Sequence, residues 1–164
     1  MYVLDANVFI NAHRDYYSFD LAPGFWDRLV NLAGQSALCS IDRIQQEIIK
    51  PNDTEPDDLH SWSAEKFSEY FHNTDAYDVI NDYSEIQRWA LQNPQFKASA
   101  KEEFARNADA WLIAYAKAKN CTLVTHEAYN AETRKRILIP VVCRQFGVPY
   151  VNTFEMLREL QVTI

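Results

Sequence analysis

The chain has 164 residues, 48% hydrophobic and 24% charged, which suits one globular domain over residues 1–164 with a sizeable core. No apolar run approaches the roughly 18–20 residues of a membrane span. The net charge of −7 excludes a broad, nonspecific nucleic-acid coat, though not a local basic patch beside an acidic site.

Strand-prone sequence begins at Tyr2, so no signal peptide is expected. Cys39, Cys121 and Cys143 form no CxxC pair and no zinc-spaced cluster with histidine. Buried, reduced thiols in a cytoplasmic protein are therefore expected.

Met1 to Leu4 is a short apolar run ending at Asp5, and such runs read as strands buried on both faces of a parallel sheet. Phe25 to Ala33 has helical spacing, with Pro23 at its start and Gly34 as its stop. Ala37 to Ile41 follows as a strand. Asp42 then caps a helix through Lys50, which Pro51 closes. Asn52 to Asp58 is a polar turn. The spacing of aromatics from Trp62 to Trp89 predicts two amphipathic helices whose aromatics serve packing or an oligomer interface. A compact helix is expected from about Phe104 to Lys119, stopped by Asn120, and then a strand over Thr122 to Thr125. Ile137 to Phe146 reads as helix ended by Gly147. Val148 to Val151 is an edge strand because of Pro149, and Thr153 caps a last helix. This alternation is the rhythm of an α/β protein with a parallel sheet.

Asp5, Glu47, Asp109 and Glu127 stand at strand or helix ends that such a sheet turns to one side, where ligands of open α/β sheets collect. Four carboxylates share a pocket only if something offsets their repulsion. A hard divalent cation, Mg²⁺ or Mn²⁺, does so with oxygen ligands. Carboxylate-held metals of this kind serve phosphodiester hydrolysis. The competing reading makes each acid a cap or an exposed helix charge, as Asp5 and Asn7 alone would suggest.

The sequence Val3-Leu4-Asp5-Ala6-Asn7-Val8-Phe9-Ile10 resembles the opening of the PIN-domain ribonucleases. Ser40-Ile41-Asp42 through Glu47 is similar to their second motif, and Asp109-Ala110-Trp111-Leu112-Ile113-Ala114-Tyr115-Ala116 to their third. Thr122-Leu123-Val124-Thr125-His126-Glu127 resembles the fourth, with Glu where many members carry Asp or Asn. The motifs occur in the family's order. The tail from Ile139 is similar to a PIN subgroup without a firmly assigned substrate, and the helical middle is longer than in compact members.

The resemblance implies a PIN-like three-layer α/β fold, with a central parallel sheet of four or five strands, helices on both faces and an extended helical middle. It implies a Mg²⁺- or Mn²⁺-dependent endoribonuclease with Asp5, Glu47, Asp109 and Glu127 as metal ligands. Asn7 and Thr125 would orient them. Many small bacterial members are toxins of toxin–antitoxin pairs, so an RNA substrate, a cognate antitoxin and a homodimer are the implied partners. Arg134, Lys135 and Arg136 follow Glu127 closely and are expected to hold RNA phosphates. Lys97, Lys101 and Arg106 are weaker candidates for the same role, and His13 and His126 for proton transfer. The alternative is a catalytically inactive PIN-like scaffold that binds protein or RNA. A phosphatase with an aspartyl nucleophile fits less well, because Asn7 replaces its second Asp.

Overall fold

The structure is a computed structural model describing residues 1–49 and 56–164. In chain order the elements are β1 (Tyr2–Leu4), α1 (Ala6–Asn11), a π-helical turn (Ala12–Tyr16), α2 (Pro23–Gly34), β2 (Leu38–Ile41) and α3 (Asp42–Ile48). They continue with α4 (Asp58–Glu65), a 3₁₀ turn (Ser68–Tyr70), β3 (Phe71–His72), α5 (Tyr77–Gln92), α6 (Ala98–Arg106) and α7 (Asp109–Lys119). Last come β4 (Thr122–Val124), α8 (Ile139–Phe146), β5 (Tyr150–Val151) and α9 (Thr153–Glu159).

The five strands form one sheet in the order β3-β2-β1-β4-β5, every pairing parallel. Tyr2 is in register with Leu38 on one side and Thr122 on the other, so β1 is the central strand. Successive strand residues point to opposite faces. Val3 and Leu4, Leu38 to Ile41, and Leu123 and Val124 are all buried, so helices cover both faces. This is the α/β architecture expected from the motifs. The edge position expected for the Pro149 strand is also observed.

Local chemistry sets the boundaries. Pro23 occupies the first turn of α2, where its missing N–H has no partner to lose. Asn120 and Gly147 take the left-handed conformation (φ 54° and 71°) that ends α7 and α8. The aromatic middle packs inward: Phe9 lies 6.0 Å from Trp62, 5.6 Å from Phe67 and 6.0 Å from Phe71. The three cysteines are buried free thiols. Among the described residues no helix is long and apolar enough to cross a membrane.

Several elements differ from expectation. The middle is not two helices alone, because Phe71 and His72 pair with Ser40 and Ile41 as β3. Two residues are too few to show strand alternation. The helix expected from Phe104 is broken into α6 and α7 at Asn107 and Ala108. There the Asn107 side chain accepts the Asp109 N–H and Glu47 accepts the Ala108 N–H, which takes both amides out of helical register. The cap of α9 is Asn152, in a reciprocal capping box with Glu155, rather than Thr153. Asp42 is the first residue of α3, and Ile41 at the N-cap position offers no side-chain cap. α3 ends at Ile48, with Ile49 already extended, short of the expected end at Lys50; Lys50 itself, the stop at Pro51 and the turn over Asn52 to Glu55 lie outside the described residues.

Candidate functional site

Asp5 sits one residue beyond the central strand and is buried, 3% exposed. Its Oδ1 accepts the Ala6 N–H at 2.7 Å, which caps α1, and its Oδ2 accepts the Thr125 hydroxyl at 3.1 Å. Thr125 follows β4, the neighbouring strand, and its hydroxyl oxygen accepts the Glu127 N–H at 3.2 Å. One short relay therefore ties the ends of two adjacent strands together. Burial pushes the Asp5 carboxyl up to about 7, the charge of Glu127 adds to that, and the Thr125 and Ala6 hydrogen bonds oppose it.

Asp109 opens α7 and is also buried, 9% exposed. Among the described residues no donor hydrogen-bonds its carboxylate. Burial pushes it well above the usual carboxylate range, and the charges of Asp5, Glu127 and Glu47 push it further, with Arg136 opposing. Glu47 is an exposed residue of α3, and its Oε1 accepts the Ala108 N–H at 3.0 Å, one residue before Asp109. Burial of that carboxylate raises its pKa, and the Ala108 hydrogen bond opposes the shift.

Glu127 is held differently. Its Oε2 accepts the Ile139 N–H at the start of α8 at 2.7 Å, and its Oε1 accepts Arg136 Nη2 at 3.1 Å. A carboxylate at a helix N-terminus is favoured by the helix dipole.

The fold thus brings all four acids close enough for three of the charges to bear on Asp109. Among the described residues, no three His, Cys, Asp or Glu side chains stand in an arrangement that could hold a metal ion as they are. Asp5 and Glu127 both have a donor on each oxygen, but one of the donors to Glu127 is the Arg136 guanidinium, which makes Glu127 the acid least free to take a cation.

The other named residues divide. Thr125 contacts Asp5 as expected. Asn7 does not: it is exposed on α1 and hydrogen-bonds none of the four acids. A helix turns its second residue away from its N-cap. Arg136 is paired with Glu127 rather than free for a phosphate, whereas Arg134 and Lys135 are exposed. Lys101 donates to the Leu91 carbonyl at 2.8 Å. His13 lies 3.9 Å from Asp57, and His126 is bonded to the Thr153 hydroxyl at 2.8 Å. Neither histidine is hydrogen-bonded to the acids.

Asn107 was not foreseen, although Asn two residues before a helix-opening Asp is a recognisable turn signal. Glu47 lines two cavities, one of about 290 Å³ toward α7 and one of about 340 Å³ toward His13. Thr125 and Glu127 line another of about 250 Å³.

Two solved structures share the fold. A chain of VapBC2 from Rickettsia felis, bound to a DNA fragment from their promoter, superposes with a TM-score of 0.56 at 15% identity, covering 92% of this chain and 97% of that one. A chain of FitAcB from Neisseria gonorrhoeae does so with a TM-score of 0.56 at 15% identity, over 94% and 99% of the two chains. No curated protein matches the sequence. The sequence pattern of the family described as Domain of unknown function (DUF4411) matches residues 2–164. This chain, with its PIN-like fold, belongs to the DUF4411 family.

Proposed function

We propose that the protein is a metal-dependent endoribonuclease acting as the toxin of a toxin–antitoxin pair. The observation that carries this reading is Asp109, a buried carboxylate facing three others with no hydrogen-bond donor of its own among the described residues. A buried charge without a partner is costly, so such a group either stays protonated or meets a cation. The donor set is all oxygen, which fits Mg²⁺ or Mn²⁺. Mg²⁺ is usually bound by one or two carboxylates with waters and substrate phosphates, so a ready-made cage of three acids is not required.

Asp5 and Asp109 would hold the ion, with Glu47 beside them. Bound there, it supplies a water of lowered pKa and charge stabilisation on the oxygens of a phosphodiester. Thr125 holds Asp5 in one rotamer by donating to Oδ2. Glu47, by accepting the Ala108 N–H, fixes the turn that aims Asp109. Glu127 sets the negative field and holds Arg136 at the rim. RNA as substrate and an antitoxin as partner follow from the motif resemblance. The shared fold with chains of VapBC2 and FitAcB supports the toxin reading.

Purified protein is expected to cleave RNA with Mn²⁺ and to lose that activity in EDTA. Asp5→Asn or Asp109→Asn should reduce cleavage by at least 100-fold while leaving the far-UV circular dichroism unchanged. Full activity in either folded variant overturns the assignment. The second reading, a non-cutting scaffold, is favoured by the engagement of Glu127 with Ile139 and Arg136. Calorimetric titration separates the two, because absence of Mn²⁺ binding at millimolar concentration selects the scaffold.

A further inference from the structure

The cavity of about 290 Å³ on the α7 side of Glu47 is walled by Arg43, Tyr83, Arg106, Asn107 and Trp111. The Arg43 guanidinium lies 3.9 Å above the Trp111 ring, and Tyr83 stacks on that ring at 3.7 Å with planes 10° apart. Two groups so near one ring centroid must take its opposite faces. Guanidinium, indole and phenol therefore form a three-layer stack.

The guanidinium is also oriented at its edge. Arg43 Nε donates to Thr74 Oγ1 at 3.2 Å, and the Thr74 hydroxyl donates to Asp42 Oδ1 at 2.9 Å. Asp42 itself accepts the backbone N–H of Arg43 and that of Thr74, so the nearest carboxylate is committed elsewhere. Among the described residues, neither Arg43 nor Arg106 forms an ion pair. Two unpaired guanidinium groups thus line one cavity in a chain of net charge −7.

An acid cluster repels a polyanion, so a strand delivered to it needs cationic contacts close by. A planar arginine fork held on an aromatic face matches the two oxygens of a phosphate and loses little freedom on binding one. Arg136 is engaged by Glu127, and neither Arg134, Lys135 nor Arg136 lines this cavity.

We infer that this cavity is a phosphate subsite for single-stranded nucleic acid, in which Arg43 and Arg106 hold a backbone phosphate adjacent to the one presented to the acids. The inference rests on the nuclease reading for its substrate class. Its geometry belongs to a different set of residues.

Binding is measured by the anisotropy of a short fluorescein-labelled single-stranded RNA in EDTA, across a range of salt. Arg43→Ala and Arg106→Ala are each expected to weaken binding several-fold at low salt and to reduce the slope of log K against log salt by about 0.7, the loss of one phosphate contact. Arg43→Lys should keep the slope but not the affinity, because an ammonium group neither forks nor lies flat on the indole. Arg106 is exposed, so its variant keeps the test valid if Arg43→Ala unfolds the chain. Wild-type slopes in the folded variants, or no RNA binding by the wild type, overturn the subsite. Displacement of RNA by micromolar inorganic phosphate would make the cavity a free-anion site and also overturn it. RNA cleavage without Arg43-dependent binding removes the subsite and leaves the nuclease. Arg43-dependent binding without cleavage does the reverse.

Discussion

At the scale of single residues, the most informative group is Asp109. It is buried and lies under the charges of Asp5, Glu127 and Glu47, without a compensating hydrogen bond. Asp109→Asn keeps its shape and removes one of the repelling charges. In the metal-free protein this variant is expected to be more stable at alkaline pH, where the Asp109 carboxyl would have to carry its charge among the other acids. A thermal melt in EDTA with no rise in Tm would show that the Asp109 charge is already relieved. Thr125→Val acts in the opposite direction, because it removes both the donor to Asp5 and the acceptor of the Glu127 N–H. Losing a buried hydrogen bond of this kind costs about 1 kcal/mol, with more where a group stays unsatisfied. Asp5 and Asp109 were legible from sequence because each ends or opens a strongly patterned element. The engagement of Glu127 was not, since Arg136 and the Ile139 N–H reach it only after the loop beyond β4 has folded back.

At the scale of elements, helix ends carry much of the sequence's information. Asn152 accepts the Glu155 N–H at 2.9 Å and Glu155 accepts the Asn152 N–H at 2.9 Å, which closes both ends of the box. Asn152→Ala is therefore expected to lower stability by about 1 kcal/mol, read as a shift of the denaturation midpoint with unchanged slope. Thr153→Ala should report differently, because that hydroxyl contacts His126 and does not cap the helix. The element least visible beforehand was β3. Phe71 looked like one more apolar position in a helical stripe, yet it pairs with β2 and buries its ring against Phe9 and Phe67. The division of α6 from α7 was hidden for a related reason. Arg106-Asn107-Ala108-Asp109 has no proline or glycine, and the break depends on Glu47 arriving from another element.

At the scale of the whole molecule, the acid cluster links stability to pH and to metal. Asp5 titrates near 7 in the folded protein, against 3.8 for an ordinary aspartate. Between those values the folded state binds more protons than the unfolded one. Stability therefore falls as pH rises through that window, and the loss is complete above it. Thermal melts in EDTA are expected to show Tm decreasing from about pH 5 to about pH 8, with a shallower decrease in Asp5→Asn. If a divalent ion takes the place of the proton, added Mn²⁺ raises Tm most at the alkaline end. Equal stabilisation at both ends would detach the ion from these carboxylates.

The sequence by itself determined the strands from Tyr2 to Leu4, Leu38 to Ile41 and Thr122 to Val124, the C-terminal ends of α2, α7 and α8, and the place of Asp5 directly after the first strand. Those features depend on local periodicity, on proline and glycine, and on the burial of continuous apolar runs, all of which act within a few residues. Tertiary structure alone decided that β1 lies between β2 and β4, that Thr125 reaches Asp5, that Glu127 is already engaged, and that Arg43 lies on Trp111. Apart from Glu127, whose partners follow nine and twelve residues later across a folded loop, these pair residues far apart in the chain, and which partner a side chain meets is set by sheet order and packing rather than by spacing.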